Sequence, residues 1–443
     1  MTGSANLVDQ APANVGPDEP EAAASRIAAA VVIGRTTEFF DFFVYGIASV
    51  LVFPKIFFNA PDLLTAMLYS FAVFSLAFLA RPVGTLIFMA LDRKFGPAVK
   101  LIAALFLLCG STMAISFLPG YADIGFVAPV LLAVFRIGQG LGLGGAWDGL
   151  PSLLALNAPP HRRGWYSMIP QLGAAVGFIL ASALFIVFTS LLSTEEFLAW
   201  GWRFPFFVAL ALNVVALFAR LRLILTPEFA ALFKQRELQP QPVFRTLRAH
   251  GREILVGAFI PLASYAMFHL VTIFPLSWVT LNTTENVSHF LGIELIGAVL
   301  GGISIMLSGV IADRIGRRKL LTYGAIAIAV FSFFTAPLFS AGVAGHYAFV
   351  LIGFVLLGLS LGQARGAVAS RFSHGYRYTA SAMTSDIAWL IGAGFAPIVA
   401  LGLSSRFDIT FAGYYLLSGA ICTLLALAVV NRTDPAEERP AAR

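Results

Sequence analysis

Apolar runs of about 20 residues recur along the whole of this 443-residue chain, and no other feature narrows its possible folds so far. A helix of about 20 residues crosses the roughly 30 Å of a bilayer's hydrocarbon. Taken between charges, glycines and prolines, the runs fall near 26–50, 62–91, 97–118, 125–154, 163–191, 200–223, 253–281, 288–312, 319–340, 346–370, 377–403 and 409–430, twelve in all. Only 12% of the residues are charged, against roughly 25% in a soluble domain. Within hydrocarbon every backbone amide must be bonded inside its own segment, so runs of this length are helices. The chain is therefore expected to be an all-α polytopic membrane protein whose largest partner is the lipid bilayer.

Its basic residues set the orientation. The net charge of +6 does not point to nucleic acid, because Lys and Arg fall in alternate connections between the runs. Arg93, Lys94 and Lys100 follow the second run, Arg162 and Arg163 the fourth, Arg314, Arg317, Arg318 and Lys319 the eighth, and Arg371 and Arg377 the tenth. The opposite connections hold only Lys55, Arg203 and Arg406. By the positive-inside rule both termini are cytoplasmic. Met1 to Ala24 lacks a basic stretch leading into a short apolar core, so no cleavable signal peptide is expected and the segment reads as a disordered cytoplasmic tail. One long polar connection, Thr226 to Arg252, carries Lys234, Arg236, Arg245, Arg248 and Arg252, with Arg220 and Arg222 at its edge. It divides the chain into a bundle over 25–223, a cytoplasmic linker over 224–252, a bundle over 253–430 and a tail over 431–443.

Four basic residues remain within or near spans: Arg35, Arg81, Arg136 and Arg365. A charge at the centre of a span costs roughly 2.5–3.5 kcal/mol on insertion scales, so these face a cavity or a partner. On the first span Arg35, Glu38, Asp41 or Phe42, and Tyr45 recur at helical spacing on one face. Two readings stay open there: Glu38 or Asp41 loads and releases a proton, or Arg35 and Glu38 only satisfy each other. On the fourth span Arg136 and Gln139 share a face, where an arginine and an amide can hold a carboxylate. On the seventh, Tyr265, His269 and Thr272 share a face, and His269 either donates to a carboxylate or is a packing residue. Glu294, Gln363, Arg365, Asp386 and Trp389 are further candidates for a cavity lining, with pairing of Glu294 and Asp386 to Arg365 as the alternative. Cys109 and Cys422 each sit alone in an apolar run, so neither a disulfide nor a metal site is suggested. With no Walker loop or nucleophile elbow either, no enzyme activity, cofactor or ATP-driven pumping is expected.

The stretch Gly309-Val310-Ile311-Ala312-Asp313-Arg314-Ile315-Gly316-Arg317-Arg318-Lys319 resembles the loop signature of the major facilitator superfamily of transporters. A degraded copy, centred on Asp92 and Arg93, lies about 220 residues earlier, which implies two repeated halves. Narrower motifs resemble the metabolite:proton symporters of that superfamily, carriers of shikimate, 2-oxoglutarate, citrate, dicarboxylates, proline or betaine. They are Gly34 to Gly46 (GRTTEFFDFFVYG), Leu79 to Gly84 (LARPVG), Arg136 to Asp148, Trp200 to Phe206 (WGWRFPF), Thr226 to Phe229 and Arg377 to Thr379. The resemblance runs from Ile27 to Arg432. It implies two pseudo-symmetric six-helix bundles around a central cavity, working by alternating access as a monomer in a bacterial inner membrane. The substrate would be a small organic anion moved with protons, or a zwitterion. Arg35, Tyr45, Arg81, Arg136, Gln139, Tyr265, His269, Gln363, Arg365 and Trp389 would line its site. Asp92, Arg93, Gly309, Asp313, Arg314, Gly316, Arg317 and Arg318 would form gating loops.

Two departures bear on mechanism. Where that group carries a glutamate on the fourth span this chain has Ala146, and Asp148 replaces a glycine. Two residues rotate a side chain by about 200°, so Asp148 is no simple stand-in. Asp148 takes over the proton from another direction, or Glu38 and Asp41 carry it alone, or coupling is lost to leave a facilitator or exchanger, or Asp148 pairs with a neighbouring helix for structure. In the first hinge loop Phe88 replaces a glycine and Gly96 comes one position late, so the intact copy at Asp313 to Lys319 is expected to carry more of the latch. The fifth span, through Gln171 to Gly177, lacks the Gly-Pro signature of drug exporters, which favours import.

Overall fold

The computed structural model describes residues 19–146, 154, 158–224, 239–364, 372 and 375–433, and among them no strand occurs. The first half consists of α1 (Glu19–Leu51), α2 (Leu63–Phe95), α3 (Pro97–Ser116), α4 (Val127–Gly145), α5 (Arg163–Leu191) and α6 (Phe204–Ile224). In the second half α7 is made of two pieces, Leu262–Leu270 and Phe274–Asn282. It is followed by α8 (Val287–Ile315), α9 (Arg317–Ser332) and α10 (Val343–Ala364). Then α11 runs as Arg377–Trp389 and Ala396–Arg406 around a π turn, and α12 is Thr410–Thr433. Ten segments among the described residues are long and apolar enough to cross a membrane. The other two fall short for visible reasons: α1 carries Arg35, Glu38 and Asp41, and α9 is 16 residues long before Thr335–Ser340 continues it.

Helix ends follow local chemistry. Asp62 caps α2 through Thr65 N at 2.7 Å and Asn286 caps α8 through His289 N at 3.1 Å, each meeting a first-turn amide that has no intrahelical partner. The turns α2–α3 and α8–α9 are one glycine each, Gly96 at φ 85° and Gly316 at φ 90°, a backbone conformation that side chains disfavour. The late glycine of the first loop thus makes the same turn as the glycine of the intact one. Prolines break the helices that line the interface between halves. Pro261 precedes α7, and Pro275, which has no N–H for the turn before it, separates its two pieces. In α11 Pro397 follows the π turn Leu390–Gly394, and the Gly394 carbonyl there accepts from Ser75 Oγ of the first half at 2.8 Å.

The polar connection expected over 224–252 is helical from Val243, with a helix Val243–Phe259 kinked at His250. Residues 225–238 lie outside the described residues. The described helix of the fourth span runs to Gly145; residues 147–153 lie outside the described residues.

Helices approach closely where glycine permits. A Cβ on Gly140 would lie 2.3 Å from the Ala77 carbonyl oxygen, and one on Gly144 2.3 Å from that of Arg81, so the glycines of α4 serve packing against α2. The halves meet along α5 and α8, which run antiparallel from Thr189–Ser288 at 2.8 Å to Gly164–Asp313 at 2.6 Å, and along α2 and α11. Contacts hold the interface at both ends, so this is a closed state.

Candidate substrate cavity and gates

Between the halves a cavity of about 40 Å³ is lined by Arg35, Glu38, Phe39, Phe42, Ala77, Phe78, Arg81, Arg136, Leu143 and Trp389. Since about 10–15 Å³ holds one water, it has room for a few waters. Three of the four intramembrane arginines thus converge on one place. The fourth, Arg365, and Asp148 lie outside the described residues.

On the arginine side, Glu38 is clamped. Arg35 Nη1 donates to its Oε2, and Arg220 Nη2 donates to its Oε1 at 2.5 Å. Arg220, read from the sequence as a connection charge, is buried on α6, facing Gly34 of α1. The sequence signal for it was the seven-residue spacing from Asn213, also buried, which puts both on the inner face of α6, while Arg222 is exposed. Lys100 was likewise read as a connection charge, but it is buried at the start of α3. There it pairs with Asp92 at 3.0 Å and donates to Tyr378 at 2.7 Å.

Asp41 points away from Glu38, toward α3. Its carboxylate accepts from Thr112 Oγ1 at 3.0 Å, and no ion pair reaches it among the described residues. Thr112 accepts from Gln139 Nε2 at 2.8 Å, and Gln139 Oε1 accepts from Arg136 Nη1 at 3.0 Å. A continuous line of hydrogen bonds therefore joins Asp41 to the cavity-lining guanidinium of Arg136. That guanidinium stands 3.8 Å from the Tyr45 ring centre and 4.8 Å from that of Phe74, and its Nη2 has no partner. Thr112 escaped the sequence reading because a threonine in an apolar helix carries no signal until its neighbours are known.

The opposite wall is aromatic. Trp389 stacks on Tyr265 with ring centres 4.2 Å apart, and its indole Nε1 has no partner. His269 is fully buried with both ring nitrogens unpartnered, boxed by Phe42, Phe74 and Phe268 at 5.3–5.4 Å. Tyr265 and His269 back the cavity wall rather than line it.

Several candidates turn out to hold the halves together. Asp386 accepts from Arg81 Nε at 2.8 Å and from Thr85 Oγ1, tying α11 to α2 beside the cavity. Gln363 is not in the cavity. Its Nε2 donates to the Gly164 carbonyl at 3.0 Å and its Oε1 accepts from Arg317 Nε at 3.3 Å, at the basic end of α5 and α8. There Asp313 accepts from the first-turn amides of α5, Gly164 at 2.6 Å and Trp165 at 3.1 Å, and Arg317 Nη2 donates to Ser167 at 2.8 Å. A carboxylate on exposed amides at a helix N-terminus is favoured by both hydrogen bonding and the helix dipole. Gly309 packs against Trp165. Arg314 is exposed, and the Arg318 carbonyl accepts from Thr322. In the degraded copy Asp92 meets only side chains, and Arg93 donates to the Gln241 carbonyl at 3.3 Å. Glu294 has no partner. No group of three or more His, Cys, Asp or Glu able to hold a metal occurs among the described residues.

Residues 31–397 match the family described as Major Facilitator Superfamily. The chain belongs to the Major Facilitator Superfamily. It is 37% identical over 418 residues, 92% of this chain and 94% of the relative, to an inner membrane metabolite transport protein of Escherichia coli (strain K12). It is 31% identical to a proline/betaine transporter of Salmonella typhimurium (strain LT2), covering 89% of this chain and 81% of that one. A crystal structure of a D-xylose–proton symporter superposes with a TM-score of 0.69 at 17% identity, covering 91% of this chain and 96% of that one, which shows the superfamily fold. This member of the superfamily is a multi-pass membrane transporter.

Proposed function

We propose that the protein imports a small organic anion together with a proton across a bacterial inner membrane, by alternating exposure of the central cavity. The observation that carries this reading is the convergence of Arg35, Arg81 and Arg136 on one cavity while Arg136 is hydrogen-bonded in line to the unpaired carboxyl of Asp41. Arg35 is already committed to Glu38 and Arg81 to Asp386, so Arg136, whose Nη2 has no partner, is the group left to meet a carboxylate. Glu38, held by two guanidinium groups, stays an anion that positions them. A buried carboxyl without a counter-charge is cheaper to hold protonated, and Asp41 is the proton carrier on that ground. A substrate carboxylate arriving at Arg136 pulls on Gln139 and Thr112, and through them on Asp41. Substrate and proton thereby share one strand of hydrogen bonds without any part for Ala146. In the same reading the Asp313 copy of the hinge carries the tighter latch, because its carboxylate meets two backbone amides where Asp92 meets side chains.

A membrane potential of 100 mV contributes about 2.3 kcal/mol per net charge entering. That supports roughly a fifty-fold gradient, since 1.4 kcal/mol is a factor of ten.

A second reading, import of a zwitterion, is favoured by the aromatic wall of Phe39, Phe42, Phe78 and Trp389 facing the arginines, which suits a quaternary ammonium by cation–π attraction. The named proline/betaine relative supports it. One experiment separates these: uptake by proteoliposomes of labelled mono-, di- and tricarboxylates, shikimate, proline and betaine, with an inward proton gradient imposed or collapsed. Accumulation of a carboxylate that vanishes with the gradient is expected. Accumulation of betaine or proline alone selects the second reading, equal uptake in both conditions makes the protein a facilitator, and no flux for any compound refutes transport of this substrate class.

A further inference from the structure

We propose that Glu294 is a second proton-binding site, built into the seam between the halves and separate from Asp41. Its use in transport rests on the proton-driven reading above; the presence of the proton does not.

Glu294 lies on α8 with no exposed surface, and neither carboxyl oxygen has a hydrogen-bond partner. Two helices flank it: α10, whose Phe354 packs on Gly297 and Gly301 of the same face of α8, and α5. Thr189 meets Ser288 at 2.8 Å, a Cβ on Gly302 would stand 3.4 Å from that of Ala175, and Gly309 lies against Met168 and Trp165. These contacts fix an antiparallel register in which Ser182 comes opposite Leu295, the chain neighbour of Glu294. The Ser182 hydroxyl is also buried and also without a partner. Two unsatisfied polar side chains therefore lie at nearly the same depth on the two helices that must part when the seam opens.

Among the described residues no cation bonds to either. After Arg163 at its start, α5 has no charged residue, and α7 offers only His269, enclosed in its ring box. From α10 come His346, bonded to Glu285 at 2.6 Å, and Tyr347, bonded to His289 of α8 at 2.8 Å, all near the non-basic end. The basic groups of α9, Arg317, Arg318 and Lys319, lie at the other end, with His161 and Arg162 of the preceding turn and Asp313 and Arg314 of α8 itself. An ion so placed costs several kcal/mol even after relaxation, and a neutral carboxylic acid costs far less.

The position also gives the site one-sided access. At about 1.5 Å per residue, Glu294 sits roughly 9 Å inside the Thr189–Ser288 contact, and the Phe178–Phe354 ring contact at 5.5 Å closes the seam on its other side. Parting of Thr189 from Ser288 admits water to Glu294 from the face away from the basic loops, and closure seals the proton in.

Infrared difference spectroscopy of the purified chain in liposomes, titrated with acid and base, tests this without any substrate. In an Asp41→Asn background, which removes the buried carboxyl of Asp41, the carbonyl stretch of a buried carboxylic acid is expected, to be lost when Glu294→Gln is added and retained when Glu294→Asp is added. A band unchanged by Glu294→Gln overturns the proposal. For whichever labelled compound the wild type accumulates, Glu294→Gln should lower the accumulation ratio about tenfold per unit of imposed pH gradient, the effect of losing one proton per cycle. An unchanged ratio overturns the coupled use of the site. A wild type indifferent to the gradient instead refutes symport and leaves the spectroscopic result standing.

Discussion

Asp386→Asn should release the interface between the halves on the side of the basic loops. Asp386 and Arg81 are nearly buried, at 5% and 14% side-chain exposure, and their 2.8 Å contact joins α11 to α2, with Thr85 Oγ1 donating to the same carboxylate. Asparagine keeps the shape and one acceptor oxygen but removes the charge. A hydrogen bond to a charged group contributes about 1.5–3 kcal/mol against about 1 kcal/mol for a neutral one. Because this contact exists only while the halves are closed there, most of its loss falls on the closed state. A shift of about 1.4 kcal/mol raises the open population about tenfold. Ala382 on α11 makes a suitable reporter, since it is buried in a cluster with Met89 of α2 and Tyr378. In a background with Cys109→Ser and Cys422→Ser, Ala382→Cys should react with a soluble maleimide at least about tenfold faster when Asp386→Asn is added. Thermal melting would show that the fold survives. An unchanged labelling rate would mean that the ion pair does not hold the gate, and the reasoning from charge-assisted bonding would fail.

Other expectations follow from the same contacts. Asp41→Asn should abolish gradient-driven accumulation while exchange of labelled for unlabelled substrate persists; wild-type accumulation would remove Asp41 from the coupling role. Arg136→Lys keeps the charge but not the fork that spans Gln139 and the cavity, so the half-saturating substrate concentration should rise about tenfold or more with the maximal rate less affected. Arg220→Ala leaves Glu38 with one counter-charge and should cost about 1–3 kcal/mol of stability, whereas Arg222→Ala, at an exposed site, should stay within about 0.5 kcal/mol, as read from melting of the purified protein. Gly144→Val places a side chain against the Arg81 carbonyl and should disrupt the α2–α4 contact, seen as lost expression or transport.

The closed state explains why so many charges are paired. With both ends of the seam in contact, each intramembrane ion has to be satisfied inside the protein, and the pairs Glu38–Arg220, Arg81–Asp386 and Lys100–Asp92 each link two helices. Of these only Arg81–Asp386 joins the two halves, so it is the pair that alternating access must break.

The amino-acid sequence by itself determined the class of the molecule, because hydrocarbon thickness and the need to bond every backbone amide leave a chain of twelve long apolar runs no other fold. It also determined where the chain turns, since Gly96 and Gly316 are readable as turn residues and the charged loops as one face. Arg35, Arg81 and Arg136 were legible as cavity residues for a related reason: a charge in a span has to face something other than lipid. What each charge faces was not legible. Spacing along one helix gives a direction but not the neighbour in that direction. That Asp386 would meet Arg81, whether Glu38 or Asp41 would be left unpaired, and whether Arg220 and Lys100 belonged to loops or to the core depended on residues elsewhere in the chain, in most cases tens to hundreds of positions away. Only the packing of α1 against α3 and α6, and of α2 against α11, decided those partners, because the electrostatic environment of a side chain is set by what lies within a few ångströms of it in space.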